Sequence, residues 1–345
     1  MTKPGAAYMT QRTPFPAAPA SAQMADILFI KTSSLGDVIH HMPAVSDVRR
    51  HLPDARLSWV VEEVYAPLAR LHKAVDEVIP VASRRWRARL FDPAMWREIG
   101  AFRRTLRERS YAAAIDSQGL LRTAMIARSA CGVRHGYDMA SIREPAACLF
   151  YDVRHRVARG AHAILRNRAL CGLALGYRPG PAVEFGLDAL RLAAPAGAKT
   201  SDYAVLIHGT AKPAKEWPQA DWLALARGMA ARGLDVVLPW GADAERRRSE
   251  TLAAALGGRV LVPDRRPLDE VAALIAGASL VVGVDTGLVH LAAALAVPLV
   301  AIFLGSEPGL TGPLGAGPIE VVGGKGATPQ AADVLHAIDR IAAHR

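Results

Sequence analysis

Short apolar runs alternate with helix-length stretches along nearly the whole chain. Asp26-Ile27-Leu28-Phe29-Ile30-Lys31 reads as the first strand, Thr32 to Gly36 as a loop of small residues, and Asp37 to His51 as a helix. Leu57 to Val61, Glu77 to Val81 and Ala112 to Asp116 read as further strands, separated by helical stretches. A second series repeats the rhythm. Strands are predicted over Tyr203–Ile207, Leu234–Leu238, Leu280–Val284 and Leu299–Phe303. Helices are predicted over Ala220–Arg232, Asp243–Leu256, Leu268–Ala276 and Gln330–Ala343, and another opens at Leu288. Strands alternating with helices predict parallel sheets with crossover helices.

The two series are separated by a Pro-, Ala- and Gly-rich stretch, Pro179 to Ser201. The expected organisation is an extension over 1–25, one α/β domain over 26–180, a linker over 181–201 and a second domain over 202–345. The last helix is free to fold back over the first domain. Two consecutive doubly wound domains present strand C-terminal ends to a common cleft, which suits two-substrate transfer.

The 345-residue length accommodates two ordinary domains, and 51% hydrophobic content excludes a globally disordered chain. Residues 1–25 are rich in Ala, Pro, Thr and Gln and lack the apolar core of a signal peptide, so we read them as disordered, with Met24 opening the ordered chain. The apolar run Leu280–Leu304 is interrupted by Asp285, His290, Pro298 and glycines, which favours a buried strand–helix–strand unit over a membrane span. Cys131, Cys148 and Cys171 are odd in number, form no CxxC pair and have apolar neighbours. They read as small core residues of a reduced, cytoplasmic protein.

The net charge is +10, and between Val81 and Ser110 nine arginines face three acidic residues, a local +6. Such a patch calls for an anionic partner: nucleic acid, an anionic membrane or a phosphorylated substrate. A solvated helix face is the plainer alternative. A nucleic-acid-binding protein would bind with strong salt dependence, but the basic stretch shows no groove interleaved with aromatics.

Four segments at predicted strand ends carry candidate chemistry. In Lys31-Thr32-Ser33-Ser34-Leu35-Gly36-Asp37, small residues permit close approach, Gly36 permits an unusual turn, and Asp37 is a candidate base or simply a helix cap. The Gly-Lys-[Ser/Thr] ending of a P-loop is absent. In His208-Gly209-Thr210-Ala211-Lys212-Pro213-Ala214-Lys215-Glu216-Trp217-Pro218, Thr210 offers a hydroxyl, and Lys212 and Lys215 offer cations for a departing diphosphate. In Pro239-Trp240-Gly241-Ala242-Asp243-Ala244-Glu245, Glu245 is placed either for ribose hydroxyls or for its own helix dipole. In Asp285-Thr286-Gly287-Leu288-Val289-His290, backbone N–H groups at a helix start suit phosphate, and a carboxylate stands beside them. That mixture fits a ligand bearing both phosphates and hydroxyls, such as a nucleotide-sugar. An aspartic protease is excluded, because the Asp-Thr-Gly triplet occurs once and leads into a helix. His40, His41, His208 and His290 lie near strand ends but lack metal-ligand spacing.

Together these segments resemble the bacterial lipopolysaccharide heptosyltransferases, of the type that adds the first inner-core heptose. The resemblance runs from Asp26 to the C-terminus. It is carried by the Lys31 segment, Trp59-Val60-Val61-Glu62-Glu63, Arg84-Arg85-Trp86-Arg87, Asp116-Ser117-Gln118-Gly119-Leu120, Arg143-Glu144-Pro145, Lys215-Glu216-Trp217-Pro218, Leu238-Pro239-Trp240-Gly241 and Asp285 to His290. It implies a GT-B fold of two Rossmann-like domains, the donor ADP-L-glycero-β-D-manno-heptose, the Kdo of Kdo2-lipid A as acceptor, inversion, and no metal or cofactor. It implies Asp37 as general base, Lys215 and Thr210 at the donor diphosphate with Lys212 nearby, and Glu245 at the ribose. Asp285 falls near the heptose, and Thr286, Gly287 and His290 at the phosphates. Ser34, Gly36 and Gln118 fall on the acceptor side, with Arg84, Arg85 and Arg87 facing the acceptor's anionic groups. The family's second threonine is Ala211 here, so one phosphate hydrogen bond is lost or passes to Lys212. A later heptosyltransferase or another GT-B transferase would share the second half but differ at Arg84–Arg87 and Asp116–Leu120. The implied location is the cytoplasmic face of an inner membrane, peripheral to its anionic leaflet.

Overall fold

The structure is a computed structural model and describes residues 25–89, 91–188, 192, 202–210, 213–257 and 259–343. The expected N-terminal extension and Lys212 lie outside these residues, as does most of the expected linker. The chain divides into two compact units after Gly186.

The first unit holds β1 (Asp26–Ile30), α1 (Leu35–His51), β2 (Arg56–Glu62), α2 (Ala66–Arg70), β3 (Glu77–Val81), α3 (Ser83–Arg87), α4 (Pro93–Arg107), β4 (Ser110–Asp116), α5 (Leu121–Ser129), β5 (Cys131–Tyr137), β6 (Val153–His155) and α6 (Ala163–Leu175). Its six strands form one sheet in the order β3-β2-β1-β4-β5-β6, and every neighbouring pair is parallel. Continuous apolar runs such as Ile27–Ile30 have no exposed face because helices cover both sides of such a sheet. Phe29, Trp59 and Leu57 are fully buried. A buried ion pair, Arg168 Nε to Asp47 Oδ2 at 2.6 Å, ties α6 to α1.

The second unit holds β7 (Tyr203–Ile207), α7 (Gln219–Ala231), β8 (Asp235–Val237), α8 (Asp243–Leu256), β9 (Val260–Leu261), α9 (Leu268–Ala276), β10 (Leu280–Val284), α10 (Gly287–Ala294), β11 (Leu299–Phe303), α11 (Pro308–Thr311), β12 (Ile319–Gly323) and α12 (Ala331–Ala343). Its sheet runs β12-β11-β10-β7-β8-β9, again all parallel. Counted from each unit's own first strand, both orders are 3-2-1-4-5-6, the doubly wound arrangement. The expected α/β class and repeated topology are therefore both present.

Some expectations change. The apolar face of α12 (Val334, Ala337, Ile338, Ile341) is buried in the second unit's core. Cys148 and Cys171 are buried, but Cys131 is exposed at the start of β5, where that strand's first three residues face solvent. Among the described residues, no helix is long and apolar enough to cross a membrane. The run Leu280–Leu304 resolves into β10, α10 and β11.

Candidate functional site

In a doubly wound sheet, ligands collect where the strand order reverses, between the first strand and the fourth. In the first unit that point lies between β1 and β4. The two loops there are stitched together. Lys31, buried, donates from Nζ to the Ser117 carbonyl at 2.9 Å. The Ser33 N–H donates to Gln118 Oε1 at 3.2 Å. Arg122 Nη2 donates to Ser33 Oγ at 2.6 Å. Asp116 closes the β4 side, accepting from the N–H groups of Gln118 at 2.9 Å and Gly119 at 3.1 Å and from the Tyr151 hydroxyl at 2.7 Å. Gly119 has φ +68°, a left-handed turn that glycine adopts without strain.

Asp37 stands on the first turn of α1. The helix begins at Leu35 with Ser34 as N-cap, so Asp37 is the third helical residue and not the cap. Its Oδ2 accepts from the Ser34 N–H at 2.8 Å and Ser34 Oγ at 3.2 Å. Its Oδ1 faces Lys31 Nζ at 3.9 Å, and the side chain is 36% exposed. The carboxylate is therefore oriented by one oxygen and open on the other. Gly36 is helical and is not one of the left-handed glycines, so the expected unusual turn is absent. Burial lowers the Lys31 pKa, opposed by the nearby carboxylates of Asp37 and Asp116. Burial raises that of Asp116, opposed by its hydrogen bonds.

The arginines of α3 are largely committed. Glu62 accepts from Ser83 Oγ at 2.6 Å and the Arg84 N–H at 2.9 Å, and Arg84 Nη2 reaches the Tyr65 hydroxyl at 3.1 Å. Arg85 bridges Glu63 and Glu98. Arg87 is exposed. Arg122 is the member sequence reasoning missed. Burial, with Arg87 and Arg84 close by, lowers its pKa, so these three cations share one neighbourhood.

In the second unit the reversal lies between β7 and β10. β10 ends at Val284, Asp285 and Thr286 form the turn, and α10 begins at Gly287 with Thr286 as N-cap. The expected strand–turn–helix is thus present. Gly283 is required by packing, since a Cβ there would lie 2.7 Å from Val289 and 2.8 Å from Ile207. Lys215 Nζ and Ser306 Oγ each donate to Asp285 Oδ2 at 2.5 Å, and His290 Nε2 lies 3.6 Å from Oδ1. Burial pushes the Asp285 carboxyl up, but hydrogen bonds from His290, Lys215 and Ser306 overcome it and hold it well below the usual carboxylate range. Ser306, from the loop after β11, was not anticipated. Trp217, buried, anchors the Lys215 segment by donating from Nε1 to the Pro329 carbonyl at 2.7 Å.

Thr210, half-buried, follows β7 in the same loop. The Thr286 hydroxyl is buried and meets no partner among the described residues. Glu245 caps its own helix: Oε2 accepts from the N–H groups of Gly241 at 2.8 Å and Ala242 at 3.2 Å. A Cβ on Gly209 would collide with this carboxylate, so β7's loop and α8 meet over a glycine. The set combines a cation, hydroxyls and the free N–H groups of a helix start, an arrangement suited to an oxyanion.

Three of the candidate histidines, His40, His41 and His208, are buried in the fold. His41, packed edge-on between Phe29 and Trp59, meets Ser117 Oγ at 3.2 Å. Burial holds its pKa well below normal. His208 meets Ser249 Oγ at 2.7 Å, and burial lowers its pKa to about 4. His40 is buried on α1. Among the described residues no group of three or more His, Cys, Asp or Glu side chains is placed to hold a metal ion.

Comparison with known proteins accords with this geometry. The profile of glycosyltransferase family 9 (heptosyltransferase) matches residues 99–334. Lipopolysaccharide heptosyltransferase 1 of Salmonella typhimurium is 41% identical over 84% of this chain and 91% of its own length. That of Pseudomonas aeruginosa is 45% identical over 84% of this chain and 81% of its own. The solved E. coli heptosyltransferase WaaC with ADP superposes with a TM-score of 0.82 at 37% identity, covering 92% of this chain and 99% of that one. Its complex with ADP-2-deoxy-2-fluoro heptose gives 0.79 at the same identity and coverage. The chain belongs to glycosyltransferase family 9, the heptosyltransferases.

Proposed function

We propose that this chain transfers L-glycero-D-manno-heptose from ADP-heptose to the Kdo of Kdo2-lipid A, with inversion at the anomeric carbon. The first unit takes the acceptor and the second the donor. One observation carries the assignment. The two reversal points hold complementary chemistry: an open carboxylate at one, and a cation with hydroxyls and a helix start at the other. An alcohol is a weak nucleophile, and a positioned carboxylate removes its proton as it attacks. Asp37 takes that role. The new C–O bond forms at the anomeric carbon as the bond to ADP breaks, and the electron pair leaves with the diphosphate. Lys215, Thr210, Lys212, the α10 start at Thr286–Gly287, and His290 take up the charge that develops there. Asp285 orients Lys215 and faces the sugar hydroxyls. Glu245 reaches the ribose through the oxygen that does not cap α8. Ser34, Gly36 and Gln118 shape the acceptor side, while Arg84, Arg85 and Arg87 meet its phosphates and carboxylates. No metal or cofactor enters this scheme.

The test is ADP release by the purified chain with ADP-heptose and either Kdo2-lipid A or an acceptor that already carries one heptose. Turnover on Kdo2-lipid A alone is expected. Turnover only on the heptosylated acceptor would transfer the chain to a later step, and turnover on neither would end the reading.

A further inference from the structure

Helix α4 lies on the first sheet through Met95, Phe102 and Leu106, which are buried or half-buried along one stripe. About a quarter-turn round the helix lie Trp96, Arg103 and Arg107, and on the face opposite the buried stripe lie Arg97 and Arg104, all exposed. Phe91, just before the helix, is 99% exposed, and Trp96 is 57% exposed. Among the described residues no carboxylate forms an ion pair with Arg97, Arg103, Arg104 or Arg107. Glu98, on the same helix, is turned to Arg85 and Trp86.

We propose that this face of α4, together with Phe91, docks the chain on an anionic bilayer. Two aromatic rings exposed among four arginines are poorly served by water. Aromatic rings settle at the headgroup level of a bilayer, and guanidinium groups pair with lipid phosphates there. The +6 charge of Val81–Ser110 complements a negative leaflet. The inference rests on the reading above for its choice of a lipid partner, and it gives Arg97, Arg103, Arg104 and Arg107 a role separate from the α3 arginines. A nucleic acid would meet the same cations, and a second copy of the chain the same rings. Neither matches both features as a leaflet does.

The test is co-sedimentation of the full chain, at low salt, with phosphatidylethanolamine/phosphatidylglycerol vesicles and with phosphatidylcholine vesicles. Wild type should bind only the anionic vesicles. The double variant Phe91→Ser/Trp96→Ser should bind about tenfold more weakly, and Arg103→Glu/Arg107→Glu about a hundredfold more weakly. Both should keep the wild-type melting temperature and wild-type ADP release with a water-soluble Kdo acceptor. Equal binding by wild type and both variants overturns the proposal, as does wild-type indifference to anionic vesicles. So does a preference for duplex DNA, or self-association that the variants abolish. Absence of ADP release with the soluble acceptor, alongside the expected vesicle pattern, would remove the proposed reaction and leave the docking surface standing.

Discussion

Asp37 and Asp285 stand at the reversal points of two sheets with the same strand order, yet their surroundings are opposite. Asp37 is more than a third exposed, held through one oxygen, with a buried lysine behind it. Asp285 is 7% exposed and fastened by Lys215, Ser306 and His290. A carboxylate held well below its usual range is a weak proton acceptor, so Asp285 is unsuited to be the base. An exposed carboxylate aimed by one hydrogen-bonded oxygen keeps the other free for a proton. The same residue type on the same scaffold acquires different chemistry from what surrounds it.

Asp37→Ala would break this contrast most sharply. ADP release should fall about 10²- to 10⁴-fold, while the melting temperature changes little, because an exposed helix-start contact contributes only about 1 kcal/mol. Activity within threefold of wild type would disqualify Asp37 as the base.

Lys215→Met tests the other side. In the proposed reaction it removes the cation that meets the departing diphosphate, so kcat should fall about 10²- to 10³-fold. It also strands Asp285, and the urea midpoint at pH 7 should report a loss on the order of 3 kcal/mol. A variant as stable as wild type would mean the pair is not coupled to the fold.

Acid should separate the two units. Burial lowers His72 and His135 to about 4 and His41 well below normal, all in the first unit. Among these lowered histidines the second unit has His208. Each takes up its proton near pH 6.5 when unfolded. The stability from a neutral fold is therefore complete above about 6.5 and is lost as pH falls, for His72, His135 and His208 toward 4 and on the order of 3 kcal/mol each. Calorimetry should show the first unit's transition moving down further than the second's between pH 7 and 5. Parallel movement would contradict the assignment.

Lys31→Met is the finest probe. It replaces a buried cation by an apolar side chain of similar length. Stability should hold or rise, while kcat falls about tenfold as Asp37 loses its charged neighbour. An unchanged kcat would make Lys31 purely structural.

The sequence made the β1–α1 and β10–α10 units legible because their signals are local: an apolar run, small polar residues, then a helix. Other strands were not legible. Cys131-Gly132-Val133-Arg134-His135-Gly136-Tyr137 has two glycines, an arginine and a histidine, and becomes a strand only by pairing with β4 and β6. Gly132 is demanded by the close approach of the Tyr111 backbone, a contact 21 residues away in sequence. β6, β9 and β12 are short or lie at sheet edges. Within the site, Asp37, Lys215 and Asp285 stood out by position. Ser306, which bonds Asp285, and Arg122, which bonds Ser33, did not, because each arrives from a segment distant in sequence. Glu245's capping role was visible only as one of two options.

Every strand pair in both sheets is parallel, so each sheet gathers its strand-to-helix loops at one rim and its helix-to-strand loops at the other. The first rim carries all the chemistry described. The second includes Pro53-Asp54 and Arg232-Gly233, exposed and remote from it along every strand. Evolution and the engineer therefore meet a divided molecule. Epitopes, fluorophore sites or short insertions at the second rim should be tolerated, and sequence drift there can proceed without touching the reaction. The same change at the first rim would alter what is bound.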